Sequence, residues 1–104
     1  MFKTTIKFPS GNELEIIEYG TGHYSYKYRM VQQEVLRFRR RWEWHKDLRE
    51  KPHIHDHKPS GIIRKIFIGK RGLEDVLSEI KREFEPDIDV KFYVHMIRDK
   101  KRGW

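Results

Sequence analysis

Cysteine and alanine are both absent from this chain of 104 residues, and asparagine occurs only once. Without cysteine, neither a disulfide nor a thiolate metal site can form. No stretch approaches the roughly 18 uncharged apolar residues of a membrane helix, and the N-terminal sequence MFKTTIKFPSGNE lacks the apolar core of a secretory signal. We therefore expect a cytoplasmic protein with no membrane partner. The scarcity of thermolabile amides beside abundant Lys, Glu and Arg indicates a heat-adapted organism.

Positive charge is the most prominent property that the chain does have. It carries 23 basic and 16 acidic side chains, which give a formal net charge of +7. The segment 58–71 contains five basic residues and no acidic one. Such a charge distribution attracts polyanions, so we expect nucleic acid as a partner. The length corresponds to a single domain over 1–104, in which 98–104 forms a frayed basic tail.

The alternation of apolar and polar residues predicts an α+β fold, mainly an antiparallel β-meander of about six strands. The segments predicted as strands are 2–8, 13–19, 23–31, 34–45, 62–69 and 88–97, of which 23–31, 34–45 and 88–97 alternate most clearly. Apolar residues at helical spacing predict one amphipathic helix over about 73–85, which ends before Pro86. We expect this helix to pack on one face of the sheet. The row formed by Tyr24, Tyr26 and Tyr28 is expected in the core beneath it.

Four of the six histidines lie within thirteen residues, in and beside a polar loop predicted over 46–61. Imidazoles titrate near neutral pH, so His45, His53, His55 and His57 are candidate catalytic acids and bases. Three of them alternate in sequence and project to the same side of an extended chain. His53, His55 and His57 are therefore also candidate ligands for a divalent transition metal. The alternatives are a solvated loop and a protein without a cofactor.

A run of arginines precedes this loop and suggests a surface that binds phosphates. Arg37, Arg39 and Arg41 share one face of the predicted strand 34–45, at a spacing of about 6.6–7 Å that is close to the repeat of nucleic-acid phosphates. The candidate binding surface also includes a further cation and two rings for base stacking, namely Lys58, Trp42 and Trp44. The alternative is a solvated sheet face whose arginines pair with acids such as Glu15 or Glu34.

The middle of the chain resembles the TumE-type toxins, small basic components of prokaryotic toxin–antitoxin pairs. The resemblance covers 23–84 and rests on a Tyr-rich strand, a Leu-Arg-aromatic strand, a Pro-His-x-His segment and an amphipathic helix, represented by Tyr24, Tyr26, Tyr28, Gln33, Leu36, Arg37, Phe38, Pro52, His53, His55, His57, Val76, Leu77 and Ile80. The family pattern has an Asp-Asn pair where this chain has Arg39, Arg40 and Arg41, and its histidine spacing also differs. The resemblance implies an antitoxin partner and action on RNA or the translation machinery.

Three functional hypotheses follow from these patterns. The first is a toxin-like, RNA-cleaving protein that uses the loop histidines and the arginine row. The second is a non-enzymatic module that binds RNA or DNA, and the third is a metal-binding domain built on the histidine-rich loop. An exposed edge strand is also compatible with a homodimer.

Overall fold

Six strands precede two helices along the chain in the computed structural model, which describes residues 1–31, 38–45, 51–58 and 60–103. The strands are β1 (Phe2–Lys7), β2 (Glu13–Glu18), β3 (Tyr24–Arg29), β4 (Arg40–Trp44), β5 (His53–His57) and β6 (Ile63–Phe67). The helices are α1 (Leu73–Glu83) and α2 (Val90–Arg102).

The strands form one sheet in which every strand pairs antiparallel with the next one in sequence, in the order β1-β2-β3-β4-β5-β6. This arrangement confirms the predicted α+β fold and its antiparallel meander. The described residues contain two helices rather than the one predicted. Because side chains alternate along a strand, each residue can be assigned to one of two sheet faces from the pairing register.

One face of the sheet, here called the helix face, carries the core. The predicted tyrosine row is buried there beside Trp42 on β4. The apolar side of α1 packs against these rings through Val76, Leu77 and Ile80, and α2 contributes its own apolar side chains to the same cluster. The helix predicted over 73–85 is therefore confirmed, and so is its core role. The opposite face, here called the open face, bears neither α1 nor α2.

The prediction of a strand over 88–97 is wrong, because residues 90–97 belong to α2. Asp89 starts the helix by accepting a hydrogen bond from the Phe92 N–H at 3.3 Å. The buried residues Tyr93, Val94 and Ile97 then recur at helical spacing. Residues 98–102, predicted as a frayed tail, continue the same helix, while Trp104 lies outside the described residues.

The prediction of a polar loop over 46–61 is also wrong in part, since residues 53–57 of this segment form β5. This strand pairs with β4 on one side and with β6 on the other. Its sequence alternates, with Ile54 and Asp56 on the helix face and the histidines on the open face. The sheet has six strands because β5 replaces the strand that was predicted at 88–97. Residues 46–50 and 59 of the predicted loop lie outside the described ranges.

Across the parts of the chain that the structure describes, neither helix combines the length and the apolar character needed to span a membrane.

Candidate functional site

The candidate site lies on the open face, where β4 and β5 run side by side. The antiparallel register places Arg41 opposite His55 and Glu43 opposite His53. Directly opposite residues of antiparallel strands have their Cβ atoms about 4.5–5.5 Å apart, so these four side chains are neighbours. His45 follows the last residue of β4 and completes the group. We call Arg41, Glu43, His45, His53 and His55 the Glu43 cluster.

The carboxylate of Glu43 holds the cluster together. The whole residue is only 3% exposed, and its Oε1 lies 2.9 Å from the Nε2 atoms of both His53 and His55. Its Oε2 lies 2.6 Å from Nε2 of His45, and Arg41 donates from Nη2 to Oε1 at 3.1 Å. One buried carboxylate thus holds three imidazoles and one guanidinium in place.

The charges and the burial within the cluster lower the pKa values of both Glu43 and His55. Burial acts against ionisation of Glu43, but the hydrogen bond from His53 and the charge of Arg41 outweigh it and lower the pKa of this carboxyl. Burial lowers the pKa of His55, as do Arg41 and His53, although Glu43 acts in the opposite direction. At neutral pH the cluster therefore combines an ionised carboxylate with a neutral imidazole at His55.

His53 is the most deeply placed imidazole of the cluster and has no exposed surface. Its Nδ1 lies 2.9 Å from the carbonyl oxygen of Lys51, which can only accept a hydrogen bond. Nδ1 must therefore carry a proton to satisfy this contact, and the ring is held with Nε2 directed at Glu43. A histidine oriented through its other nitrogen in this way is typical of metal ligands.

Glu43, His53 and His55 could hold a metal ion, because their ligand atoms all lie within 4.8 Å of one another. This group differs from the predicted ligand set His53, His55 and His57. His57 lies on the same face, but its ring packs on Phe38 at a centroid distance of 4.3 Å, and it is not a member of the group. Glu43 takes its place as the third ligand.

The predicted arginine row does not lie on one face. Arg41 is on the open face with Glu43, whereas Arg39 precedes β4 and its Nη1 contacts Asp56 on the helix face at 2.5 Å. Arg40 donates from Nε to the same Asp56 oxygen at 3.1 Å and also pairs with Glu83. Arg37 lies outside the described residues. The chain's own carboxylates therefore pair with Arg39 and Arg41, two of the three arginines that were predicted to need external anions.

The aromatic residues predicted to stack on bases are not on the open face either. Trp42 is fully buried, and its Nε1 donates to Glu79 of α1 at 2.9 Å, so it is a core residue. Trp44 is partly buried on the helix face, with its ring 4.0 Å from that of His23. Lys58 follows β5 and is half-buried at the turn to β6. The predicted nucleic-acid surface is thus divided between the two faces and the turn.

Glu43 is the functional candidate that the sequence interpretation missed. The alternation of β4 already placed it on the same side as Arg41 and His45. The alternation does not reveal that the histidine segment is itself a strand paired with β4. This pairing brings His53 and His55 to the same carboxylate.

Comparison of the chain with protein-family models gave no match, and comparisons with curated proteins and with solved structures gave none either. The resemblance to TumE-type toxins therefore stays a prediction.

Proposed function

We propose that the Glu43 cluster cleaves RNA by general acid–base catalysis. The observation that carries this proposal is the pairing of one buried carboxylate with two partly exposed imidazoles and a guanidinium on the open face. The exposed fractions of these side chains are 22% for His55, 31% for His45 and 26% for Arg41, against 4% for Glu43. Glu43 positions the groups, and the three more exposed side chains are the ones that a substrate can reach.

His55 is the proposed general base. Its Nε2 faces the Glu43 carboxylate, which favours the tautomer with the proton on Nε2 and leaves a lone pair on Nδ1. The lowered pKa keeps the ring neutral at pH 7, as a base requires. Nδ1 would take the proton of the ribose 2′-hydroxyl, and the 2′-oxygen would form a bond to the adjacent phosphorus.

His45 and Arg41 complete the proposed reaction. A protonated His45 keeps its Nε2–H on Glu43 and can give the proton on Nδ1 to the departing 5′-oxygen as the P–O bond breaks. The products are then a 2′,3′-cyclic phosphate and a 5′-hydroxyl. Arg41 would stabilise the charge that develops on the phosphoryl oxygens. Its Nε lies 3.0 Å from Oε2 of Glu43 and is buried, so the exposed part of the side chain is the part that would meet the phosphate.

This proposal retains the toxin-like role that the resemblance implies, with a partner antitoxin restraining the cleavage of cellular RNA. It needs no cofactor, because the cluster supplies a base, an acid and an electrostatic stabiliser from its own side chains.

Metal binding is a second candidate function, and the contact between His53 and the Lys51 carbonyl favours it. That contact fixes the Nε2 of His53 beside a carboxylate oxygen and the Nε2 of His55, a donor set of two nitrogens and one oxygen that suits Zn²⁺. The Arg41 guanidinium beside Glu43 opposes it, because a nearby cation weakens binding of a second cation.

The cleavage proposal is tested with a fluorescently labelled RNA oligonucleotide in the presence of EDTA. We expect the wild-type protein to cut it and to leave a cyclic phosphate, and we expect the all-deoxy oligonucleotide to stay intact. His55→Asn and His45→Asn should each slow cleavage by about 100-fold or more, since general acid–base groups contribute on that scale. His57→Asn is the matched control, since it removes an imidazole from the same strand and face without touching the cluster.

Three results would contradict the proposal. Cleavage that survives both cluster substitutions would remove the assigned roles, and cleavage that requires a divalent metal would remove the metal-independent mechanism. Salt-sensitive RNA binding without any product would instead support the non-enzymatic module.

The metal candidate is tested by calorimetric titration of untagged protein with Zn²⁺. Stoichiometric binding that is lost in His53→Gln and retained in His57→Asn would support the group that includes Glu43. Binding lost equally in His57→Asn would support the histidine triplet instead, and no binding by the wild-type protein would eliminate the candidate.

A further inference from the structure

The strand β6 ends the sheet and differs from the strand at the other edge. All five of its residues are exposed, including Ile63 at 65% and Phe67 at 60%. At the opposite edge, the apolar residues Phe2 and Ile6 of β1 are buried under the helices. Among the strands that the structure describes, the exposed large apolar side chains are thus concentrated on β6.

The outer edge of β6 also presents backbone hydrogen-bonding groups. Two backbone hydrogen bonds at the ends of this strand pair show which residues of β6 point toward β5. They run from the Lys58 N–H to the Ile62 carbonyl oxygen at 2.9 Å and from the Ile68 N–H to the Pro52 carbonyl oxygen at 3.0 Å. Along an antiparallel strand, the backbone N–H and C=O groups of successive residues point alternately toward one neighbouring strand and away from it. The N–H and C=O groups of Ile63 and Phe67 therefore point away from β5, toward an edge along which no strand of the described chain lies.

An edge of this kind is a template for another strand, and natural proteins usually protect it. Proline and burial are two such protections, and β6 shows neither. Its charged residues are the remaining protection, and they act selectively. They repel a basic strand and attract an acidic one, because the segment 58–71 contains five basic residues and no acidic one.

We propose that the outer edge of β6 binds an extended segment of another protein in which acidic and apolar residues alternate. The backbone groups of Ile63 and Phe67 would pair with the added strand, their side chains would meet its apolar residues, and Arg64 would meet its carboxylates. A second copy of this chain is a poorer occupant, since two-fold pairing would bring two basic, acid-free segments together. This inference does not depend on RNA cleavage.

The probe is a fluorescein-labelled peptide of alternating Glu and Val, about nine residues long so that it spans a strand. Its control is the same peptide with Lys in place of Glu. Fluorescence polarisation is expected to show the Glu peptide binding at least about tenfold more tightly than the Lys peptide. Arg64→Glu should reduce or reverse this preference.

Ile63→Pro tests strand addition itself. The N–H of Ile63 points outward, so proline removes a donor from the edge without removing a bond to β5, and proline is tolerated at such positions. We expect the Glu peptide to bind at least about tenfold more weakly to this variant. Ile63→Thr keeps the outward N–H and is the matched control, and circular dichroism and thermal unfolding establish that both variants are folded.

Several outcomes would overturn the proposal. These are equal binding of the two peptides, no binding of the Glu peptide by the wild-type protein, or equal effects of Ile63→Pro and Ile63→Thr. A wild-type dimer in light scattering that Ile63→Pro converts to a monomer would assign the edge to a second copy of the chain.

Discussion

Two buried carboxylates lie on opposite faces of the same pair of strands, and they differ in their partners. Asp56 on the helix face and Glu43 on the open face are 4% and 3% exposed. Burial acts against ionisation of both, yet the pKa of each is lowered by its neighbours. The bonded neighbours of Asp56 are Arg39 and Arg40. Glu43 has one arginine and three histidines.

This difference in partners separates a structural ion group from a site suited to chemistry. Guanidinium groups keep their charge at all physiological pH values, so the surroundings of Asp56 do not change with pH. Imidazoles gain and lose protons near neutral pH, so the surroundings of Glu43 do change. Asp56 is further tied to α1, because Arg40 also pairs with Glu83. We therefore assign a stabilising role to Asp56 and a functional role to Glu43.

The largest expected effect is the loss of stability in Asp56→Asn. The substitution removes the carboxylate shared by Arg39 and Arg40, whose side chains are 13% and 12% exposed, and leaves Arg40 its ion pair with Glu83. Breaking a buried ion pair costs about 3–5 kcal/mol, and urea unfolding should show a loss near the lower end because the amide still accepts a hydrogen bond. Asp99→Asn, at an exposed pair with Arg102, is the matched control and should change stability by less than about 1 kcal/mol. Equal effects of the two substitutions would contradict the structural role of Asp56.

The next effect is the loss of the proposed RNA cleavage in Glu43→Gln. The amide keeps the size and one acceptor oxygen but removes the negative charge that positions His45 and His55. We expect cleavage to fall by about 100-fold, which corresponds to about 2.7 kcal/mol in the barrier. The stability loss should be smaller than in Asp56→Asn, because the imidazoles can become neutral whereas arginines cannot. Full activity of Glu43→Gln would contradict the functional role of Glu43. A larger stability loss in Glu43→Gln than in Asp56→Asn would assign the main stabilising role to Glu43 instead.

The sequence predicted the parts of the fold in which a single periodicity is present. The tyrosine row alternates without exception, and the apolar residues of α1 recur only at helical spacing, so both were assigned correctly. The region of α2 carries two periodicities, because Val90 and Val94 are four residues apart and fit either a strand or a helix. The cap formed by Asp89 and the burial of Tyr93 and Ile97 decide in favour of the helix.

The candidate site was predicted in its residue types but not in its geometry. The segment His-Ile-His-Asp-His of β5 is polar and lies between Pro52 and Pro59, a pattern that predicts a loop. The pairing of β5 with β4 is a tertiary property that places Glu43 opposite His53. Arg39 was assigned to the wrong face because it lies just before β4, where the alternation of the strand does not apply.

The smallest expected effect is the contribution of His55 to the pH dependence of stability. The pKa of His55 in the folded protein lies below its ordinary value of 6.5, so the unfolded chain binds the proton more readily. The contribution of His55 to stability is therefore present above pH 6.5 and is lost as the pH falls toward its folded pKa, with a slope that cannot exceed about 1.4 kcal/mol per pH unit for one proton. Glu43 and Asp56 also have lowered pKa values, but their contributions are lost only below their ordinary values of 4.5 and 3.8. Urea unfolding of wild type and His55→Asn between pH 7.5 and 5.5 should show a stability difference that decreases on acidification, while the difference between wild type and Asp56→Asn stays constant. If the stability difference between wild type and His55→Asn stays constant or increases on acidification, the surroundings of Glu43 do not respond to pH. The proposed contrast between Glu43 and Asp56 would then be wrong.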